Sequence, residues 1–365
     1  MCIVCNGKIV YEAIKRLDCS GCKVLTDLPP MPKLESLDCR GCTALTKICD
    51  FPSLQELDCI NCTGIEEIRN LPNLKFMNCN RCTRLVNIPI FPKLKELYCD
   101  GCTDLTNISS YEELTQIYCN NCTSLTELPN MPNLEKLICG NCRNLTKLPT
   151  FEKLQELHCG TCTSLTSIPA MKELKMIDCR KCTALTVIPV IPELKYLWCD
   201  SCTALTELPI MLKLKKLTCS KTKISIPRFP ILDELMCNSC TLTTISDLPK
   251  LKTLYCWGCK NLKSISKVPE LTYLNCALCT SLTEIPISSA NYNIQDCIWL
   301  SMSTGYNKRI GILRKCQAIW KRKLIALKLE RAIPAITEIY YSPGCKGEYL
   351  ALRAFQRNAF SEKLV

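Results

Sequence analysis

Cysteine pairs with the spacing C-x-x-C are the first feature of this sequence that suggests chemistry. The stretch LDCRGCTALT, residues 37–46, places Cys39 and Cys42 at that spacing. Two such pairs hold zinc in many small domains, and one exposed pair at a helix start performs thiol–disulfide exchange. The chain contains 33 cysteines in 365 residues, so the pairs bind metal, exchange electrons or fill a core.

The cysteine pairs recur with a fixed period. The first cysteine returns every 20 residues from Cys19 to Cys219 and then at intervals of 18, 19 and 20 residues. A second cysteine three residues later completes thirteen pairs, and Thr222 takes its place in one unit. A redox motif of the thioredoxin type occurs once in a chain, so thirteen regular copies favour stacked structural units.

In register, each unit follows the frame L-x-x-L-x-C-x-x-C-T-x-L-T-x-[LI]-P, as in LESLDCRGCTALTKICDFPS at 34–53. This frame resembles the leucine-rich repeat, with Cys39 at the third leucine position and Cys42 at the Asn/Cys position. It is also similar to repeat proteins of giant DNA viruses and to short-repeat bacterial effectors. The resemblance covers about residues 14–291, and it implies a solenoid whose concave face is a parallel β-sheet that binds partners.

The residues themselves predict the same architecture. Apolar Leu37 and Cys39 alternate with polar neighbours, which is the pattern of a strand with one buried face. Prolines in the second half of most units exclude a regular α-helix there, so we expect an extended or 3₁₀ convex side. The predicted organisation is an N-terminal cap fragment at 1–13, about 14 units of leucine-rich repeat solenoid at 14–291, and a degenerate unit followed by a basic, α-helical C-terminal cap at 292–365.

The period favours a packing role for the thiols. If both cysteines of a unit point inward, they act as small buried hydrophobes. The alternative is zinc held by four sulfurs from adjacent units at about 2.3 Å. We expect no cofactor and no bound metal, a reduced protein, and loss of structure under oxidants because oxidised cysteines are larger and polar.

The side chains that alternate with the buried positions define a candidate binding face. Aromatic residues recur in the outward columns, and Tyr and Trp are typical anchors of protein interfaces because they combine area with a polar group. Packing between neighbouring strands is the alternative role for them. The predicted partner-binding residues are Tyr98, Tyr118, His158, Tyr196, Trp198, Tyr255, Trp257 and Tyr273.

The same outward columns also contain charged residues and the single histidine. Asp18, Asp38 and Asp58 form a carboxylate stack, which we interpret as a solvated charged face, with a basic partner peptide as the alternative. The only histidine, His158, precedes Cys159, but alternation sends the two side chains to opposite faces and excludes a Cys-His nucleophile. No other catalytic motif is present, so we expect no enzymatic activity.

The basic character of the chain belongs to its end. Residues 301–365 contain 13 lysines and arginines against four acids, within a total net charge of +12. Residues 307–332 have one apolar helical stripe among basic residues, which favours a cap over binding to nucleic acid or an anionic membrane. The absence of a visible secretory signal predicts a cytoplasmic protein, in the host cell if it is viral. The sequence thus favours a monomeric, non-enzymatic scaffold for a protein partner.

Overall fold

A computed structural model describes residues 4–5, 11–282 and 291–295 of the chain. In these ranges fifteen three-residue strands, one for each turn of the chain, form a single parallel sheet in sequence order. Each strand lies beside the equivalent strand of the next turn, for example Leu37 beside Leu57. The strands are Arg16–Asp18, Ser36–Asp38, Glu56–Asp58, Phe76–Asn78, Glu96–Tyr98, Gln116–Tyr118, Lys136–Ile138, Glu156–His158, Met176–Asp178, Tyr196–Trp198, Lys216–Thr218, Glu234–Met236, Thr253–Tyr255, Tyr273–Asn275 and Asn291–Asn293.

The core is one continuous column of apolar side chains inside the coil. Each turn adds one layer to it, because no single turn has enough residues to bury its own leucines. The layer contributed by residues 34–53 consists of Leu34, Leu37, Cys39, Cys42, Leu45, Ile48 and Phe51, none more than 1% exposed. The predicted solenoid, with both cysteines of a unit inside, is confirmed.

The part of each turn opposite the main sheet is extended. Short parallel pairs connect neighbouring turns there, at Lys47–Ile48 with Glu67–Ile68, Asn87–Ile88 with Asn107–Ile108, and Thr244–Ile245 with Ser264–Ile265. The predicted extended convex side is confirmed, and single i→i+3 turns interrupt it, as where the Leu54 amide donates to the Phe51 carbonyl at 3.2 Å. Prolines such as Pro89 and Pro92 explain the choice, since they favour extended backbone in themselves and in the residue before them.

Residues that precede the first strand cover the N-terminal end of the core. A 3₁₀ helix at Tyr11–Ala13 precedes the first strand, and Val4, Cys5, Tyr11 and Ile14 pack against the end of the core. Apart from 292–295, the predicted α-helical C-terminal cap at 292–365 lies outside the described residues, and the described ranges contain no α-helix. Among these residues no helix is long and apolar enough to span a membrane.

Candidate functional site

The turn that follows each main strand explains the C-x-x-C spacing. The amide of Cys42 donates to the carbonyl of Cys39 at 3.1 Å, which closes a four-residue turn. The third residue of this turn has a positive φ, 69° at Gly41 and 58° at Asn61. A positive φ at the third residue is typical of a type II turn. Such a turn reverses the chain, so the fourth residue lies on the same side as the first. The spacing of the cysteines is therefore the length of a tight turn.

The second cysteine of each pair connects its turn to the one before. The Cys62 thiol donates to the Cys39 carbonyl at 2.9 Å, and the Cys82 thiol donates to the Cys59 carbonyl at 3.1 Å. We call this series of thiol–carbonyl bonds the thiol ladder. Twelve such bonds of 2.9–3.1 Å occur in the described turns.

Burial raises the pKa of the Cys42 thiol to about 11, and it raises the pKa of Cys199, the first cysteine of a later pair, well above its usual range, since the thiolate would lose its hydration inside the core. At Cys62 the hydrogen bond with Cys39 outweighs burial and lowers the pKa of the thiol. In the described part of the chain, no group of three or more His, Cys, Asp or Glu side chains is arranged to hold a metal ion. The ladder thiols are buried and hydrogen-bonded, so they contribute packing and hydrogen bonds. The chain has the architecture of a cysteine-rich parallel β-solenoid.

The outward columns of the main sheet have the predicted register. In every three-residue strand the middle side chain is inward, except that Tyr292 in the last strand is only partly buried. The first and third residues point outward, and all of them except the buried Thr218 are at least partly exposed. Tyr98 lies beside Tyr118, and His158 lies beside Asp178. The predicted residues other than Trp257 occupy these two columns, and Trp257 lies in the turn after its strand with 44% of its surface exposed.

The first aromatic group on this face spans three adjacent strands. The rings of Tyr98 and Tyr118 stack with centroids 4.5 Å apart and planes 10° from parallel. Phe76 adds a tilted contact to Tyr98 at 5.5 Å, and the Lys136 ammonium lies 6.0 Å from the Tyr118 centroid. The hydroxyls donate within their own strands, from Tyr98 to Glu96 at 3.2 Å and from Tyr118 to Gln116 at 3.3 Å. The group is thus pre-ordered and half-buried.

Two further aromatic groups lie closer to the C-terminal end of the sheet. Tyr196 and Trp198, from the two outward positions of one strand, stack at 6.1 Å. Tyr255 and Tyr273, from adjacent strands, form a tilted pair at 5.2 Å. Four strand spacings, about 19 Å, separate the Tyr118 strand from the Trp198 strand. The predicted residues therefore form separate groups along the face and not one cluster.

His158 belongs to none of these groups. Its Nδ1 lies 3.9 Å from Asp178 Oδ2, and Arg180 Nη2 contacts the same oxygen at 2.6 Å. Burial opposes ionisation of Asp178, but hydrogen bonds from Arg180 and His158 outweigh it and hold the pKa of that carboxyl below its usual range. Cys159 is fully buried on the other side of the strand, so the two residues do not pair.

At the N-terminal end the carboxylate stack is partly neutralised. Arg40 contacts Asp38 at 2.5 Å and Asp58 at 3.7 Å. Asp18, in the neighbouring strand, accepts the backbone amide of Ser20 at 2.9 Å. The stack has enough local partners to be stable in water, which agrees with the solvated-face interpretation.

A polar cleft of about 470 Å³ at the turn edge of the sheet was missed by the sequence reasoning. It opens where Gly140 and Gly160 occupy a position that is Arg180 or Asp200 in later turns. Those two glycines in one column were the available signal. Around the cleft, Asn120 accepts the Gly140 amide at 2.7 Å, and Asp100 accepts the Asn120 amide at 2.6 Å. The cleft is lined by Arg81, Asp100, Gly101, Asn120, Asn121, Gly140, Asn141 and Gly160.

Comparison with known proteins finds similarity at the level of structure. No family model and no curated protein matches the chain. A leucine-rich repeat protein from Bacteroides ovatus is 18% identical, with a TM-score of 0.40 over 73% of this chain and 80% of its own. The functional domain of InlJ from Listeria monocytogenes, which includes a cysteine ladder, is 21% identical, with a TM-score of 0.31 over 69% and 68%. CroV588, a circular leucine-rich repeat protein, is 14% identical, with a TM-score of 0.21 over 73% and 59%.

Proposed function

We propose that the chain is a non-enzymatic scaffold that binds a protein partner on the solvent-facing side of its main sheet, the side that the leucine-rich repeat resemblance makes concave. The observation that carries this proposal is the set of three aromatic groups on that side. They are the Tyr98–Tyr118, Tyr196–Trp198 and Tyr255–Tyr273 groups, each half-buried and each built on strands.

Rigid mounting supports a binding role for these rings. A strand residue fixed by neighbours on both sides loses little further freedom when a partner covers it, so more of its contact energy contributes to affinity. Tyr and Trp each have only two side-chain torsions, and their polar atoms stay paired at an interface. Packing within the sheet buries part of each ring in the Tyr98–Tyr118 stack, and the part of each ring that stays exposed is available to a partner.

The geometry of the one candidate nucleophile supports the non-enzymatic part. Cys159 is inside the coil, whereas His158 is on the outside, 31% exposed in its side chain. A protonated, buried thiol with no base on its own side has no route to a substrate. The proposed setting is the cytoplasm of an infected cell, supported by the resemblance to giant-virus repeat proteins and by buried thiols, such as those of Cys39 and Cys42, that form no disulfide.

The test is a pulldown with the full chain and two matched triple variants. One variant carries Tyr98→Ala, Tyr196→Ala and Trp198→Ala on the sheet face. The control carries Val190→Ala, Ile210→Ala and Leu212→Ala, which removes apolar side chains that are 58%, 54% and 67% exposed outside the sheet. Circular dichroism must show both variants folded. We expect the sheet-face variant to lose the partner and the control to keep it; the opposite pattern, or retention by both, would exclude the proposed face.

A further inference from the structure

The pair Cys5 and Cys22 differs from the rest of the described thiol ladder. Cys22 is the second cysteine of the first turn, so it stands at the N-terminal end of the ladder. Its Sγ lies 3.5 Å from the Sγ of Cys5, which precedes the first turn. Inside the coil, Cys59 and Cys82 also approach each other, at 4.0 Å, but both are fully buried.

Access and position distinguish the end pair from an interior pair. Cys5 is only half-buried, and Cys22 is 5% exposed, so a small oxidant reaches the first sulfur from solvent. A disulfide requires an S–S distance of about 2.05 Å. At the end pair the half-buried Cys5 precedes the first layer, whereas closing an interior pair would deform the layers above and below it.

The segment that contains Cys5 is already held against the first turn. Val4, Cys5 and Tyr11 pack against the end of the core, and the Tyr11 hydroxyl donates to the Val4 carbonyl at 3.4 Å. The end of a solenoid needs a cover because its last layer otherwise faces water. A covalent bond at this point would fasten that cover.

We propose that Cys5 and Cys22 are a redox modification site that forms a reversible disulfide, fastening the N-terminal segment to the first turn. The oxidant is a hydroperoxide. The Cys5 thiolate attacks the distal peroxide oxygen, an S–O bond forms, the O–O bond breaks, and the departing hydroxide takes a proton to become water when the oxidant is hydrogen peroxide. Cys5 is then a sulfenic acid, and the peroxide has accepted two electrons.

The second step closes the bond. The Cys22 sulfur attacks the Cys5 sulfur, the S–S bond forms, and the S–O bond breaks. Hydroxide leaves and takes the proton that Cys22 gives up, so two thiols and one hydrogen peroxide give one disulfide and two waters. A dithiol reductant reverses the bond by exchange.

Peptide mapping of the full chain tests the site. Reduced protein is treated with one equivalent of hydrogen peroxide, alkylated, and digested with trypsin without reduction. Cleavage at Lys8, Arg16 and Lys23 gives MCIVCNGK and LDCSGCK, which we expect to be joined in one species. Each peptide also contains a second cysteine, which supplies matched controls. Cys5→Ser and Cys22→Ser are expected to lose the joined species, and Cys2→Ser and Cys19→Ser to retain it.

A second measurement keeps the test decisive if the Cys22 variant does not fold. The melting temperature of the wild type is expected to rise after peroxide treatment and to return with dithiothreitol, and Cys5→Ser is expected to show no rise. A joined species that survives Cys5→Ser, or peroxide consumption with no joined species, would overturn the assignment.

Discussion

At the scale of single residues, the thiol ladder uses a property that separates cysteine from serine. A thiol is a small hydrophobe whose transfer from water into a protein core costs little free energy, yet it has one proton to donate in a hydrogen bond. The Cys62 thiol meets both needs, since it is fully buried and donates to the Cys39 carbonyl. Thr222 shows the alternative: its hydroxyl donates at 2.5 Å to the Cys219 carbonyl of its own turn and lies 3.7 Å from the Cys240 thiol of the next turn.

Thr222→Val tests the importance of this hydroxyl. The side chain is 2% exposed, and valine has the same shape without the donor. Loss of a buried hydrogen bond is expected to lower the free energy of unfolding by about 1 kcal/mol. Thr166→Val is the control, because Thr166 is exposed and its bond to the Thr146 carbonyl is long, 3.4 Å. Urea unfolding measures both, and equal effects would contradict a special role for Thr222.

The raised pKa of the Cys42 thiol predicts a loss of stability at alkaline pH. Folding favours the protonated thiol, because Cys42 has a pKa of about 11 when folded and a free thiol has about 8.5. The contribution to stability is complete below about pH 8.5, and it is lost as the pH rises toward about 11, since only the unfolded chain releases its protons there. Urea midpoints from pH 7 to pH 11 should decline above about 8.5, and a flat profile would count against neutral buried thiols.

At the scale of elements, the sequence predicts where a side chain lies on its strand better than it predicts which side chain that residue contacts. The alternation around Leu37 and Cys39 was enough to predict strands, register and inward thiols, because the period of two is local. Local patterns do not predict whether two outward rings stack. Tyr98 and Tyr118 do, whereas His158 turns to Asp178. The polar cleft depends on Gly140 and Gly160 being neighbours in space, which follows only once the register is known.

A double-mutant cycle on Tyr98 and Tyr118 separates packing from binding at this element. Stacked rings at 4.5 Å are expected to show a coupling of about 0.5–1.5 kcal/mol in the free energy of unfolding. Tyr98 and Tyr255, which lie far apart on the sheet, should be additive and provide the control. A coupling near zero for the stacked pair would mean that the rings contribute little to the sheet and are retained for another reason.

At the scale of the whole molecule, each turn contacts its neighbours and shares one core with them. Deletion of residues 120–139 removes one full period and rejoins Cys119 to Gly140 in the original frame. We expect this variant to keep the circular dichroism spectrum of the parent and a cooperative melt. Deletion of 130–139 removes half a period, puts core positions outside, and is expected to abolish folding. A folded half-period variant would argue against the register.

Excess oxidant is expected to unfold the whole solenoid. Conversion of interior thiols to larger acids inserts polar volume into layers that have no free space. Circular dichroism, recorded while the reacted cysteines are identified by peptide mapping, should be lost once interior thiols such as that of Cys59 have reacted. Retention of the folded spectrum with interior thiols consumed would contradict the packing role.

Near-identical turns create a problem of alignment during folding. A turn that packs against the wrong neighbouring turn contacts almost the same leucines and cysteines. A register error of one whole turn therefore changes the local packing energy little. The irregular unit around Thr222, only 18 residues from Cys219 to Cys237, fits at one place in the stack. Its unusual length therefore favours the correct register of the stack during folding. A variant in which this unit has 20 residues, like the regular units, is expected to give more misassembled product on refolding.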